Sequence, residues 1–337
     1  MAVVKPFRAV RYEQAAAGPL ASLVAPPYDV VSPSEREELL ARSPHNVVHL
    51  TLPDSEEEAA ALWRRWLGSG VLVREEQPAA WELEQDYVGP DGVARTRRGI
   101  VASLAPEPYE RGTVLPHERT HRGPKEGRLR LLRAVGAQLE PIFLLYDGPP
   151  PLSATGPPDL EVDGTRLRRA GSVDVEGFFA DTQLLIADGH HRYETSLEAG
   201  MDVPVVLVST SDPGLTIFPT HRVAGRVGDV RGTEIERPSD ELPGVVLYRG
   251  GRYLLLAGDG LDVEVVERAG PEDVTYTPRR EEAEAAVDRG EAEGAFLVRP
   301  TPIDAVFERA RRGEVLPQKT TYFYPKLVSG LLFLPLD

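Results

Sequence analysis

The apolar positions of this chain follow two spacings, which between them mark out the elements. Helical spacing brings Ala60, Trp63 and Leu67 onto one face of 55–67 and predicts an amphipathic helix there. A second helix opens at Ser32-Pro33-Ser34-Glu35, where a capping hydroxyl, a proline suited to the first turn and a nearby acid stand together. Short apolar runs bounded by turn residues predict strands. The runs 80–88 and 93–104 flank Gly89-Pro90-Asp91-Gly92 and read as a hairpin, as does 245–256 around Gly250-Gly251. Further strands are expected near 7–12, 142–146, 160–162, 183–187, 203–208 and 295–298, and helices at 129–139, 175–180, 190–198, 280–288 and 303–312. Strands and helices interleave throughout, so the expected class is α/β (α+β), with mixed sheets and flanking helices.

Two breaks interrupt the pattern. Residues 106–128 show little periodicity and are crowded with Pro, Gly, His and Arg, which suggests a loop or broken helix. The stretch Gly148-Pro149-Pro150-Pro151 to Gly156-Pro157-Pro158 reads as a loop or linker. With 337 residues the chain is long enough for two domains, expected at 1–147 and 159–337, both contributing to one site.

Composition narrows the chemistry. There is no cysteine, which excludes disulfides, cysteine-based zinc or iron–sulfur sites, and thiol catalysis. No window holds the ~18 apolar residues a membrane span needs. The N-terminal residues lack a signal-peptide core, so a cytoplasmic location is expected. The formal charge of −15 opposes general binding to phosphate backbones, and no helix-turn-helix with a basic face stands out.

Seven histidines are present, and five of them fall in three short clusters: His117 with His121, His190 with His191, and His221. Each cluster carries an arginine beside or near a histidine. Arginine's fixed fork of donors, set at turns after apolar strands, is what a phosphate-bearing ligand requires. The strongest segment is Asp188-Gly189-His190-His191-Arg192, where a strand runs straight into a helix. Gly189 permits positive φ or close approach of a ligand, and the helix start adds unpaired N–H groups. Asp188 is expected to bind a metal ion or orient a histidine; the competing explanation is an ordinary N-cap.

Leu115-Pro116-His117-Glu118-Arg119-Thr120-His121 contains the H-E-x-x-H spacing of zinc hydrolases. That motif works only on a continuous helix, and Pro116 and Gly123-Pro124 bracket it, so zinc hydrolysis is the weaker alternative. Glu118 instead suits a general base or a metal carboxylate, with His117 steering it. Pro219-Thr220-His221-Arg222 and Lys319-Thr320-Thr321-Tyr322-Phe323-Tyr324-Pro325-Lys326 are two further candidates, each balanced against a turn or a packed strand.

These landmarks, together with Val24-Ala25-Pro26-Pro27-Tyr28-Asp29-Val30, resemble in order those of domain-of-unknown-function family 1015, over about residues 5–336. Asp188 to Arg192 is similar to the phosphate-binding box of the ParB/sulfiredoxin-like superfamily, which includes free serine kinases; some family members carry the label SpoOJ regulator. The resemblance implies a ParB/sulfiredoxin-like core elaborated by additional α/β segments. It also implies a phosphotransferase between ATP or ADP and free serine or phosphoserine, with Mg²⁺. Glu118, Asp188 and His190 would be catalytic, and Asp188 and Glu118 would hold Mg²⁺. His117, Gly189, His191, Arg192 and Arg222 would bind the nucleotide phosphates, and Thr220, His221, Lys319 and Thr320 the substrate. Where the family often has Lys-x-Asp-Arg, this chain has Lys125-Glu126-Gly127-Arg128. The alternative from a different class is a nucleotide-sensing or DNA-binding regulator of ParB type.

Overall fold

The computed structural model describes residues 2–118, 122–171 and 173–336. Two compact units divide the chain. The first comprises Met1–Tyr87, Ala94–Leu215 and Pro325–Asp337, and the second Val88–Val93 and Thr216–Tyr324. The class is α+β in both.

The first unit is built on a nine-stranded mixed sheet. Its strands are β1 (Val3–Lys5), β2 (Trp81–Val88), β3 (Ala94–Ala105), β4 (Val114–Leu115), β5 (Ile142–Tyr146), β6 (Leu160–Val162), β7 (Thr165–Arg169), β8 (Leu184–Asp188) and β9 (Val203–Ser209). They run in the order β4-β8-β5-β9-β3-β2-β7-β6, with β1 paired to β3. Residues 148–158 lie inside this unit and join β5 to β6 of the same sheet. Ile100, Leu144, Ile186, Val205 and Leu207 are fully buried in one core cluster. Each such side chain stabilises the fold by roughly 1.5–3 kcal/mol.

Four helices matter for the site: α1 (Pro33–Arg42), α2 (Glu56–Gly68), α3 (Arg122–Val135) and α4 (His190–Ala199). Ser32 caps α1 in a capping box with Glu35, and Ser55 caps α2, as the hydroxyls predict. Helix α3 differs from expectation by starting at Arg122 instead of 129. A proline within the first turn is tolerated there, and Gly136, at φ 69°, ends the helix before 139.

The second unit holds a six-stranded antiparallel sheet: β10 (His221–Arg226), β11 (Thr233–Ile235), β12 (Val246–Arg249), β13 (Arg252–Leu255), β14 (Glu272–Thr277) and β15 (Gly294–Leu297). Their order is β11-β13-β12-β15-β10-β14. Leu247 and Phe296 pack in one core cluster and Ala295 and Leu297 in another, so the central strands are buried on both faces. Helices α5 (Asp262–Ala269), α6 (Arg280–Asp288) and α7 (Ile303–Arg311) belong to this unit. The pattern did not predict α5. Its valines favour strands, but Glu264 closes a bond back to the N-cap of the helix and Gly270 ends it in the left-handed region.

Candidate functional site

Strand β8 lies between β4, to which it is parallel, and β5, to which it is antiparallel. The ends of β4 and β8 therefore meet the start of β5 at one edge of the sheet. Pro116, His117 and Glu118 follow β4, Asp188 ends β8, and Glu140 and Pro141 precede β5. A register shift between Ile186 and Asp188 bends β8 as it reaches the turn. Gly189 caps α4 at φ 95°, and a Cβ there would stand 2.7 Å from Ile142 Cγ2, so the turn accepts only glycine. Gly189, and not Asp188, is the N-cap of the helix.

Instead, Asp188 gathers two cations. Lys326 Nζ donates to Oδ1 at 2.8 Å, and Arg192, one turn into α4, donates to Oδ2 at 3.0 Å. Burial alone would raise the Asp188 pKa, but Lys326 and Arg192 outweigh it and hold the carboxyl down at about 2. Burial likewise works against the charge on Arg192, yet Asp188 and Glu140 leave its pKa raised. Arg192 also donates to the carbonyl of Pro141, which ties α4 to the start of β5.

The paired histidines serve this turn differently. His117 Nδ1 lies 2.7 Å from the Ile186 carbonyl oxygen, and the His117 backbone N–H donates to His190 Nε2 at 3.4 Å. Their rings meet edge to face at 4.8 Å. Both are buried, and desolvation lowers His117 to about 4 and His190 well below the ordinary histidine value. Neutral at pH 7, they offer hydrogen bonds and no charge to a phosphate, and they fix the backbone that leads into Glu118. His191 sits half-buried in the first turn of α4.

Three neighbours had no site role in the sequence reading, although Tyr28 and Arg128 lie in landmark segments. Glu140 is buried and accepts at 2.9 Å from both the Tyr28 N–H and Ser329 Oγ. Arg128 lies over the Tyr28 ring at 3.5 Å and donates to the Thr51 carbonyl at 2.7 Å. The Ala-Pro-Pro-Tyr segment thus packs beside the Asp188 turn, a placement set by long-range contacts.

A second cluster lies in the second unit. His221 Nδ1 accepts from the Val298 N–H at 3.2 Å, and burial takes its pKa down to about 4. Arg222 donates to the carbonyls of Thr220, Gln318 and Lys319, and burial lowers its pKa. Lys319 is exposed at φ 56°. Thr320 Oγ1 donates to the Pro317 carbonyl, and the Thr320 carbonyl accepts from Thr301 Oγ1 at 3.1 Å. Among the described residues, buried Thr220 Oγ1 has no hydrogen-bond partner.

Mg²⁺ does not suit Asp188 as the chain arranges it, because both carboxylate oxygens already carry a cation. Among the described residues no group of three or more His, Asp or Glu side chains is close enough to hold a metal ion. His121, required for the zinc alternative, lies outside the described residues. His117 and Glu118 precede α3 in non-helical backbone, whereas that motif needs a helix through both. Among the described residues no helix is long and apolar enough to cross a membrane.

No curated protein matches the chain. Similar solved structures include a free serine kinase in complex with AMP, 19% identical, with 63% of this chain and 83% of that chain covered and a TM-score of 0.40. Another is SbnI with C-terminal truncation from Staphylococcus aureus, 13% identical over 66% of this chain and 84% of its own, at 0.43. A conserved hypothetical protein from Pyrococcus furiosus is 19% identical over 65% and 92%, at 0.38. Likenesses at this level leave fold and activity to be argued from the chain's own residues. The family comparison is stronger. Residues 4–240 match the family described as protein of unknown function, DUF1015, and the chain belongs to that family.

Proposed function

We propose that the chain is a phosphotransferase moving a phosphoryl group between a nucleotide and a small hydroxyl acceptor, with free serine as that acceptor. The observation that carries the reading is the Asp188 carboxylate holding Lys326 and Arg192 together at a strand-to-helix turn. Phosphate oxygens compete well for lysine and arginine, so an arriving phosphate takes over cations that Asp188 keeps in place. Phosphoryl transfer depends on positioning and charge neutralisation more than on covalent catalysis, and this arrangement supplies both.

In one direction the serine hydroxyl oxygen attacks the terminal phosphorus, the bond from phosphorus to the leaving nucleotide oxygen breaks, and the hydroxyl proton passes to Glu118. In the other, a nucleotide phosphate oxygen attacks phosphoserine and Glu118 returns the proton to the departing hydroxyl. Arg192 and Lys326 neutralise the group in transit. His117 and His190 hold the backbone next to Glu118.

Phosphorus NMR tests this directly. Purified protein is incubated in magnesium-containing buffer with O-phosphoserine and ADP, with serine and ATP, or with serine and ADP, each beside a Glu118→Gln control. Transfer that disappears in the control establishes the reaction and its preferred direction. Nucleotide signals broadened by binding, with no turnover in any tube, would replace the enzyme by a nucleotide-sensing regulator.

A further inference from the structure

A cavity of about 470 Å³ opens in the first unit where α1, the start of α2 and α3 come together. Its walls include Tyr28, Asp54, Glu56, Gly127, Arg128 and Leu131. The volume lies within the range of small-molecule sites. A narrower groove beside it is lined by Arg128, Leu131 and Arg192, so the two share Arg128 and Leu131. Among the described residues, only Arg128 and Leu131 stand between the cavity and the groove that Arg192 lines.

The lining divides by chemistry. Arg128 stacked on Tyr28 at 3.5 Å makes a flat, polarisable wall, and Leu131 adds an apolar one. Asp54 and Glu56 supply carboxylates, each engaging an arginine (Arg36 and Arg130) through one oxygen. Arg36 also lines the cavity but is paired with Asp54, whereas Arg128 leads toward Arg192 in the adjoining groove. A ligand with a flat ring system against the Tyr28–Arg128 wall, hydroxyls toward Asp54 and Glu56, and negative charge directed past Arg128 to Arg192 matches this lining. Carboxylates accept from vicinal ribose hydroxyls in other nucleotide sites for the same reason.

We propose that this cavity seats the nucleoside part of the nucleotide, with its phosphates passing Arg128 to reach Arg192 and Lys326. The proposal rests on the phosphotransferase reading and places the nucleotide within it.

Gly127 gives a clean test. A Cβ at this position meets nothing nearer than Arg130 NH2 at 3.8 Å, and the residue lies within α3 with no left-handed φ. A side chain there fills the cavity without straining the backbone. Calorimetric titrations of the full chain with ADP and with O-phosphoserine would compare wild type, Gly127→Trp, Gly127→Leu and Gly68→Trp. Gly68, at the exposed far end of α2, controls for a new surface indole. The expected result is a loss of ADP affinity of at least about tenfold in Gly127→Trp and a smaller loss in Gly127→Leu. O-phosphoserine binding should stay at the wild-type level in both, and Gly68→Trp should bind ADP normally. If a folded Gly127→Trp binds ADP as wild type does, the nucleoside sits elsewhere and the phosphotransferase reading survives. If it melts normally yet loses both ligands, the cavity is not specific to the nucleotide and the proposal falls. Wild type that binds no ADP removes both ideas. Should Gly127→Trp fail to fold, Gly127→Leu decides on the same criteria.

Discussion

Arg192 and Arg222 look alike in the sequence, each following a histidine, and both are buried, at 8% and 5% exposure. Their partners differ. Arg192 shares the Asp188 carboxylate with Lys326, whereas Arg222 faces three backbone carbonyls. The same burial therefore ends in opposite results: Arg192 has its pKa raised and Arg222 has it lowered. Carbonyls fasten a loop and have no charge to exchange. A carboxylate with two cations can hand them to another anion. A histidine–arginine pair in sequence thus marks a buried arginine, and only its counter-group tells whether it is a fastener or a site.

The sharpest way to break this contrast is to remove the counter-group. Asp188→Asn should lower phosphate transfer by about 10²–10³-fold, comparable to losing one preorganised electrostatic contact. The rate is read by phosphorus NMR. Transfer at the wild-type rate would put Asp188 outside the machinery.

Arg222→Leu should act on stability. Losing its carbonyl bonds should destabilise by about 3 kcal/mol in urea denaturation, with O-phosphoserine titration of the folded protein unchanged. Lost binding at undiminished stability would make Arg222 a ligand contact and erase the distinction.

In acid both regions should lose stability through their buried histidines, the first region more, because His190 is lowered there beside His117. His117 and His221 are both held near 4, so between about pH 4 and 6.5 the unfolded chain binds more protons than the folded one. Stability should therefore fall as pH drops from 7 to 5, by about 2 kcal/mol for each histidine. The lowered Asp188 adds a further loss only below its unfolded value, complete as pH passes about 2. Urea midpoints at pH 7 and 5 check this; equal midpoints would mean that neither histidine is buried neutral. The smallest effect is expected at Gly127→Ala, which should stabilise α3 by about 0.5–1 kcal/mol. A decrease in melting temperature would show that α3 is not the continuous helix described.

Much of this was legible locally. Spacing and caps found α1, α2 and most strands, because those signals lie within a dozen residues of each other. The Asp188–Arg192 segment stood out for the same reason: strand, glycine and paired histidines are contiguous. What pairs with Asp188 was not legible, since Lys326 is 138 residues away and only the fold brings them together. Lys326 was visible as one of two lysines in a C-terminal cluster, but nothing in that cluster separates it from Lys319. Tyr28 and Arg128 lay in landmark segments, but their place beside the Asp188 turn, like that of Glu140, is set by strand order and helix packing. Histidine was misleading in another way. Its clustering with arginine pointed to phosphate binding, but burial keeps His117, His190 and His221 neutral, so they bring no charge to it.

The distance in sequence between Asp188 and Lys326 also sets an order of events during synthesis. Residues 216–324, all of the second unit but Val88–Val93, are translated between the two partners. At ordinary ribosomal speeds of about 5–20 residues per second, Asp188 waits on the order of 10 s for Lys326. Through that interval the carboxylate lacks its Lys326 partner. The second unit is thus a timer as well as a module, and the nascent chain cannot assemble the charge cluster until the whole second unit has been made.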